Sequence, residues 1–351
     1  MPVEPPPSLA RIGDAVTARV DALLAGEEGR WAAVDPDLAE PIAALRALAA
    51  GGKRLRPAFC HWGFVGAGGA ADDPRVVDAG AALELLHGFA IVHDDVMDGS
   101  AWRRSRPCVH VEFGGRHAAR GWRGEARRFG DGAAILVGDL AFVYADQLLR
   151  GAPRAAIEVF DELRLEVNIG QYLDLVGAAA RRASVDRARV IAVYKSGKYT
   201  VERPLHLGAA LAGRLAELAK PYSAFGVPLG EAFQLRDDLL GAFGDAARLG
   251  KAVGEDLREG KPTALYALAR AGAVGDDAGF LDRWYGHRDL TDAQAAEIRR
   301  IMVDTGARAE VDAMVTELTA EAMAALAEAP IPGPAREELA ALARFVADRD
   351  R

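Results

Sequence analysis

The chain has 351 residues and a net charge of −8, and 50% of its residues are hydrophobic but only 7% aromatic. The acidic balance argues against a nucleic-acid surface as the main function, because phosphate backbones require a basic face. The excess of Ala and Leu, which are strong helix formers, favours an all-α fold. Two cysteines, Cys60 and Cys108, are too few for a disulfide framework, so we expect a reduced, cytoplasmic location.

The ends and the interior of the chain indicate one domain. Residues 1–7 lack the basic-then-apolar pattern of a signal peptide and are expected to be a short disordered terminus. No Gly/Ser-rich or Pro-rich linker divides the interior, so residues 8–351 are predicted to form a single all-helical domain. No run of about 18 uncharged apolar residues is present, so we expect no stable membrane insertion.

Apolar residues recur at three- and four-residue spacing, and strict alternation is missing, which predicts a succession of helices and no sheet. The predicted helices cover 8–25, 39–50, 54–68, 75–97, 131–150, 154–179, 184–213, 219–243, 262–272, 290–304, 307–328 and 334–348. Pro204 and Pro228 fall inside two of them, where we expect a kink or a break.

Two stretches lack this periodicity. Residues 99–130 contain six glycines and many arginines and are predicted to form a long mobile loop. Residues 244–261 form a second glycine-punctuated stretch. Loops of this kind act as lids and phosphate clamps, or they are solvated connectors, and both interpretations stay open for each loop.

Each irregular stretch follows a pair of aspartates at the end of an apolar segment. The first cluster is Asp94, Asp95 and Asp98, and the second is Asp237 and Asp238. Dense carboxylates repel one another and are costly to desolvate unless a positive charge lies between them. Oxygen ligands without a His/Cys cluster suit Mg²⁺, which completes its coordination with water and substrate phosphates. The pattern therefore predicts an enzyme that acts on phosphate esters.

Taken alone, a DDxxD sequence is more often a charged surface turn than a metal site. The apolar residues before both clusters weaken that alternative, because a solvated helix face would alternate with polar residues. Basic residues also recur at four separate places, which are Lys53/Arg54/Arg56, Arg103/Arg104/Arg106, Lys195/Lys198 and Lys251/Lys261. With two metal clusters, they suggest a site for more than one diphosphate.

The ordered set of motifs between about residues 50 and 270 resembles that of the trans-isoprenyl diphosphate synthases. These motifs are GGKRLRP, ELLHGFAIVHDDVMD, RRSRP, GDL, GQYLDL, YKSGKYT, FQLRDDLLGAFGD and GKAVGEDLREGKPT. The resemblance is greatest to members that make geranylgeranyl diphosphate. It implies a bundle of ten or more helices around a deep central cavity, usually in a homodimer. The implied reaction is head-to-tail elongation of an allylic diphosphate by isopentenyl diphosphate.

The resemblance also implies roles for individual residues. Those matching the metal ligands are Asp94, Asp98 and Asp237, which would hold three Mg²⁺ ions, with Asp95, Asp238 and Asp256 in support. Those matching the cations that grip the allylic diphosphate are Arg103, Lys195 and Lys251, and Lys261 lies in the same loop. Those matching the metal-free isopentenyl diphosphate subsite are Lys53, Arg56, His87 and Arg104. Those expected to present dipoles to the allylic cation are Gln234, Ser196 and Tyr172.

Product length is expected to depend on residues before Asp94, along which the growing tail would extend at about 1.5 Å per residue. Leu86, Phe89 and Ala90 occupy this region. Farnesyl-producing members often have aromatic residues at the positions of both Phe89 and Ala90. Here Ala90 is small, which resembles geranylgeranyl-producing members. The alternative is that Phe89 is an ordinary core residue. Farnesyl and longer polyprenyl products stay open.

Two rival functions share part of this pattern. A class I terpene cyclase also has a DDxxD cluster, but it has no use for a second diphosphate subsite. A non-catalytic partner subunit would usually have lost aspartates, and these are intact. Departures from the family pattern are Gly241, Ser105 and Ser196, none of which removes a charge that the reaction needs.

Overall fold

The computed structural model describes residues 4–180, 184–244 and 254–347. The first part contains α1 (Pro7–Ala32), α2 (Ala39–Ala49), α3 (Leu55–Gly66), α4 (Pro74–Asp98), α5 (Val109–Ala119), α6 (Ala126–Leu149) and α7 (Arg154–Ala179). The second part contains α8 (Val185–Ile191), a π-helix (Ala192–Glu202), α9 (Arg203–Leu211) and α10 (Leu215–Phe243). The third contains α11 (Glu255–Glu259), α12 (Ala264–Gly272), α13 (Gly275–Trp284), α14 (Asp292–Asp304), α15 (Ala307–Glu328) and α16 (Gly333–Ala347). The predicted all-α class is confirmed.

The Arg-rich stretch at 99–130 is more regular than predicted. An antiparallel hairpin pairs β1 (Trp102–Arg103) with β2 (Arg106–Pro107), and α5 follows it. The prediction of one long irregular loop is therefore wrong. The helical signal was short, because α5 buries only Val109, Phe113 and His117, four residues apart, between glycines and arginines. Of the second stretch, residues 245–253 lie outside the described residues, and α11 follows them.

The prolines inside the predicted helices have different effects. α10 continues through both Pro221 and Pro228, so of the expected kink or break at Pro228, the break is not found. At Pro204 the helix changes its winding, from the π-helix to α9. Proline has no N–H to bond the carbonyl four residues earlier, which is compatible with this change.

α4 is the central helix and packs against α1, α3 and α6. Its middle turns are buried on all sides, including Leu83, Leu85 and Leu86. Burying one such leucine stabilises the fold by about 1.5–3 kcal/mol. Because that packing fixes α4, it also fixes the aspartates at its C-terminal end.

Among the residues that the structure describes, two helices are apolar enough, by length and composition, to span a membrane. They are α4 and α6, and 67% of the apolar window of α4 is buried inside the fold, against 39% for α6. A core helix of a globular protein passes the same test, which accounts for α4. The apolar window of α6, by contrast, leaves most of its residues outside the core.

Candidate active site

A cavity of about 510 Å³ opens between α4, α7, the π-helix and α10. The predicted site residues that line it are Lys53, Arg56, His87, Ala90, Asp94, Arg103, Arg104, Lys195, Ser196, Gln234, Asp237, Asp238 and Lys261. Lys251 lies outside the described residues. The cavity thus brings together side chains from motifs that lie up to 208 positions apart in the sequence, from Lys53 to Lys261.

The last turn of α4 presents its aspartates in different directions. Asp94 accepts hydrogen bonds from Gln171 Nε2 at 2.9 Å and from Lys195 Nζ at 3.1 Å. Asp95 is buried, and its carboxylate accepts from the Arg103 guanidinium at 2.6 Å. Asp95 therefore supports the cluster through Arg103, while Asp94 faces the cavity.

Asp98 is joined to the second Gly-rich stretch through Lys261. The Lys261 ammonium lies 3.5 Å from Asp98, 3.5 Å from Asp256 and 2.9 Å from Glu259. Asp98 and Asp256 are therefore held near each other by one cation, although they lie far apart in the sequence.

The second aspartate cluster lies on α10. Asp237 and Asp238 line the cavity, and Asp238 accepts a hydrogen bond from Gln234 Nε2 at 2.7 Å. Gly241, noted above as a departure, makes room for Asp256, because a Cβ at this position would overlap the Asp256 carboxylate. The glycine at position 241 thus leaves space for an aspartate from another element.

Burial and neighbouring charges shift the pKa values of these carboxylates in different directions. Burial, and next the charge of Asp94, raise the pKa of Asp98 to about 6. Burial raises the pKa of Asp238 to about 8, although the Gln234 hydrogen bond opposes the rise. Burial also acts on Asp94, but Lys195, Lys261 and Arg103 more than offset it and hold the pKa of this carboxyl below its usual range.

Within the described residues, no group of three or more His, Cys, Asp or Glu side chains converges into a preformed metal site. Mg²⁺ does not need a preformed cluster of this kind, because it binds to proteins through one or two carboxylates and takes its other ligands from water and substrate phosphates. The donors here are carboxylate oxygens, and two of them have pKa values raised by burial. The residues present therefore fit Mg²⁺.

A basic wall faces this acidic region. Arg104 donates to the Gly51 carbonyl at 2.7 Å. Arg54 and Arg104 both adopt left-handed backbone conformations, with φ of 55° and 50°. Arg54 is buried and forms an ion pair with Glu84. Arg54 thus anchors the start of α3, from which Lys53 and Arg56 reach the cavity.

His87 and Arg56 meet at Tyr199. His87 Nδ1 lies 2.6 Å from the Tyr199 hydroxyl, and the Arg56 guanidinium lies 4.0 Å from the centre of the tyrosine ring. Burial, and next the charges of Arg56 and Arg104, hold the pKa of His87 well below its usual range. His87 is therefore neutral near pH 7 and acts as a hydrogen-bonding group.

The profile of the family described as polyprenyl synthetase matches residues 39–302. The chain belongs to the polyprenyl synthetase family. It is 30% identical to the (2E,6E)-farnesyl diphosphate synthase of Mycobacterium tuberculosis, over 85% of this chain and 80% of that enzyme. It is 32% identical to the geranylfarnesyl diphosphate synthase of Aeropyrum pernix, over 66% of this chain and 70% of that one.

A solved structure is similar over nearly the whole chain. The geranylgeranyl pyrophosphate synthase of Corynebacterium glutamicum, complexed with isoprenyl diphosphate and magnesium, has a TM-score of 0.92 at 35% identity. The match covers 97% of this chain and 99% of that one. The family resemblance predicted from the motifs is confirmed, and the class of reaction is head-to-tail prenyl transfer.

The three residues expected to control product length differ in position. Ala90 lines the cavity. Leu86 is fully buried in the core, and the Phe89 ring packs 4.9 Å from the Phe142 ring and 4.6 Å from the His93 ring. Ala90 thus faces the cavity directly, and Phe89 belongs to the wall behind it, between α4 and α6.

The structure adds cavity residues that the motifs did not single out. Asp174 accepts from Lys195 Nζ at 2.6 Å, and Gln171 donates to Asp94. Both belong to the GQYLDL motif, three residues apart, which was the available signal. Tyr172 of the same motif is 67% exposed and does not line the cavity. The prediction that its dipole faces the allylic cation is therefore wrong. Tyr199, by contrast, lines the cavity next to His87.

Proposed function

We propose that this protein condenses isopentenyl diphosphate with an allylic diphosphate, head to tail, and makes geranylgeranyl diphosphate in a single catalytic domain of residues 8–351. The observation that carries the proposal is the division of one cavity into two halves. One half combines carboxylates with lysines, and the other combines arginine, lysine and neutral histidine. Two diphosphates can then bind side by side, one with metal and one without.

In the acidic half, we propose Asp94, Asp98 and Asp237 as ligands of three Mg²⁺ ions, with Asp95, Asp238 and Asp256 in support. When bound, Mg²⁺ neutralises charge on the allylic diphosphate and stabilises it as a leaving group. The related Corynebacterium synthase is described with magnesium and isoprenyl diphosphate. Its similarity to this chain, together with the oxygen donors, supports this assignment.

The chain's own cations assist the first step. As the allylic C–O bond breaks, its electron pair stays with the diphosphate, and Arg103, Lys195 and Lys261 stabilise the charge that develops there. Arg103 and Lys195 already lie within 3.8 Å and 3.1 Å of Asp94. On the allylic fragment, Gln234 and Ser196 present dipoles to the cation.

The basic half orients the second substrate. Lys53, Arg56, His87 and Arg104 would hold isopentenyl diphosphate so that its double bond lies near the allylic cation. Attack forms the new carbon–carbon bond, and loss of a proton to the released diphosphate restores a double bond in the longer allylic product. Positioning contributes much of the acceleration, because both reactants are held in one cavity.

The C20 product length is supported by Ala90, which lines the cavity with a single methyl group. Small side chains at this depth leave space for a longer tail than two aromatics would. Several related proteins are named geranylgeranyl diphosphate synthases, among them one from Saccharolobus solfataricus that is 32% identical. A farnesyl product or a longer product remains the alternative.

A homodimer would explain the outer face of α6 and α7. This face exposes Leu136 and Val143 on α6 and Leu165, Ile169 and Tyr172 on α7. Leu136 and Leu165 are 62% and 60% exposed, and contiguous exposed apolar patches mark interaction sites. We propose that the partner is a second copy of the chain, and that the dimer works in the cytoplasm. Replacing Leu136 and Leu165 with Glu should yield a monomer, measured by analytical ultracentrifugation.

The central experiment is incubation with isopentenyl diphosphate and dimethylallyl, geranyl or farnesyl diphosphate, with Mg²⁺, followed by chain-length analysis of the product. We expect that isopentenyl diphosphate is consumed and that a C20 product forms. After chelation of the metal, we expect neither consumption nor product. Release of diphosphate without consumption of isopentenyl diphosphate would favour a terpene cyclase instead. A C15 or C25 product would retain the reaction and overturn the C20 assignment.

A further inference from the structure

The π-helix at Ala192–Glu202 carries Lys195 and Tyr199 into the cavity. With about 3.6 residues per turn, Glu202 would lie within about 20° of Lys195 around the helix axis. With the wider winding of a π-helix, about 4.4 residues per turn, Glu202 lies about 150° away, while Tyr199 stays within about 40° of Lys195. The winding therefore decides which charges face the cavity and which face away from it.

A buried ion network lies on the side that faces away. Glu166 of α7 forms an ion pair with Lys198 and accepts two hydrogen bonds from Arg203, at 2.6 Å and 2.7 Å. Lys198 also lies 3.5 Å from Glu202. Glu166 and Glu202 are both buried. One carboxylate of α7 thus holds cations near the end of the π-helix and at the start of α9.

α10 completes the network. Ser223 donates to Glu202 at 2.6 Å, and His206 Nε2 lies 3.0 Å from the Ala219 carbonyl oxygen. Arg203 lies 3.3 Å from His206 Nδ1. The end of the π-helix is therefore fixed to α10 as well as to α7.

Glycines bring the neighbouring backbones into contact with the π-helix. A Cβ at Gly170 of α7 would overlap the backbone of Lys195, and a Cβ at Gly230 of α10 would overlap that of Gly197. A Cβ at Gly226 would lie 2.8 Å from the Cα of Glu202. The π-helix has no room to slide, so a change of winding would rotate Lys195 and Tyr199 in place.

We propose that Glu166 and Glu202 are positioning residues for prenyl transfer. Their ion pairs hold residues 192–202 in the π winding, and this winding directs Lys195 to Asp94 and Tyr199 to His87. Neither carboxylate touches substrate, and both act through the helix that they hold. This inference rests on the proposed function for its kinetic consequence, but not for its structural one.

The test compares three variants of the full-length protein. Glu166→Gln removes the charge and keeps the shape, and Glu166→Asp keeps the charge on a shorter side chain. Glu231→Gln is the matched control, because Glu231 is also buried and paired with an arginine, Arg189 at 2.5 Å, but holds α8 rather than the π-helix. Melting temperature, steady-state kinetics and hydrogen exchange of residues 192–202 are measured for each.

We expect Glu166→Gln to lower kcat by about 100-fold, since a shift of about 1 Å in a positioning group costs this much. It should also speed hydrogen exchange within residues 192–202. Glu166→Asp should recover at least part of both, and Glu231→Gln should leave kcat within about threefold at a similar loss of melting temperature. If Glu166→Gln does not fold, Lys198→Met, which leaves the Glu166–Arg203 pair intact, should show the same pattern with a smaller amplitude.

Two results would overturn the proposal. One is unchanged hydrogen exchange in residues 192–202 of Glu166→Gln. The other is an equal loss of kcat in Glu166→Gln and in Glu231→Gln, because the network would then act only on stability. Failure of the wild-type protein to elongate any allylic diphosphate would overturn the proposed function instead, and the exchange experiment would still decide whether Glu166 holds the winding.

Discussion

The two halves of the cavity balance their charges in opposite ways. In the acidic half, Lys195 and Lys261 already contact Asp94, Asp174, Asp98 and Asp256. In the basic half, Arg104 donates to the Gly51 backbone carbonyl rather than to a carboxylate. A metal-bound diphosphate would have to replace ion pairs in the first half, whereas Arg104 in the second could turn to a free diphosphate without leaving a carboxylate.

This difference supports the assignment of the two substrates that we propose. The half that is rich in carboxylates would require divalent cations before it accepts a diphosphate, because like charges would otherwise repel. The half that is rich in arginine and lysine accepts an anion directly. Substitutions in the two halves should therefore change different kinetic parameters, kcat in the acidic half and KM for isopentenyl diphosphate in the basic half.

The largest effect is expected from Asp94→Ala in the acidic half. Loss of this carboxylate frees Lys195 and removes a proposed metal ligand, so kcat should fall about 10³-fold or more. Steady-state assays at saturating Mg²⁺ measure the effect, and Asp304→Ala, an exposed aspartate on α14, serves as the control. Retention of a tenth of the activity would remove Asp94 from the metal site.

A variant in the basic half should instead change affinity for one substrate. Lys53→Ala should raise KM for isopentenyl diphosphate about 30-fold, the value of one hydrogen bond to a charged group, with KM for the allylic substrate little changed. Lys220→Ala, which removes an exposed lysine from α10, is the matched control. Equal effects on both substrates would mean that the two halves are not separate subsites.

Ala90 lines the cavity one turn of α4 before Asp94, and substitutions there should change the product without changing the affinity for either substrate much. Ala90→Phe fills the cavity beneath Asp94, so we expect the main product to shorten to C15. Chromatography of the dephosphorylated products measures the shift. Phe89→Ala should act in the opposite direction and lengthen the product, because it thins the wall between α4 and α6. Unchanged length in both variants would move the control of length to other helices.

The smallest effect concerns stability and pH in the absence of metal. The pKa of Asp238 is raised to about 8 in the folded protein, against 3.8 ordinarily. The folded state therefore holds a proton that the unfolded chain releases, so this contribution is complete below pH 3.8 and is lost as pH rises through 8. Between pH 6.5 and 8.5 the loss should be about 2 kcal/mol.

Denaturant unfolding with EDTA, at pH 6.5 and at pH 8.5, measures this change. Asp238→Asn cannot titrate and should lose correspondingly less stability over the same interval. The buried histidines with lowered pKa values are still partly protonated in the unfolded chain at pH 6.5, but their contribution is the same in both proteins and cancels in the comparison. An identical pH dependence in both proteins would show that Asp238 is ionised in the fold.

Sequence patterns predicted the long helices well, because each has an apolar face that repeats over several turns. The bounds of α7 match the prediction of 154–179, and those of α15 match 307–328. α5 and α13 were missed, because each is about three turns long or less and buries few residues. The π-helix could not be predicted, since its winding depends on Glu166 and Gly170 of α7 and on Gly230 of α10.

The family and most of the charged cavity residues could be read from local motifs, because metal and diphosphate chemistry requires particular side chains at fixed spacing. The tertiary structure decided which partners these side chains contact. Asp95 binds Arg103, Lys261 joins Asp98 to Asp256, and Tyr199 contacts His87. Such partners come from separate helices, and only packing brings them within hydrogen-bonding distance.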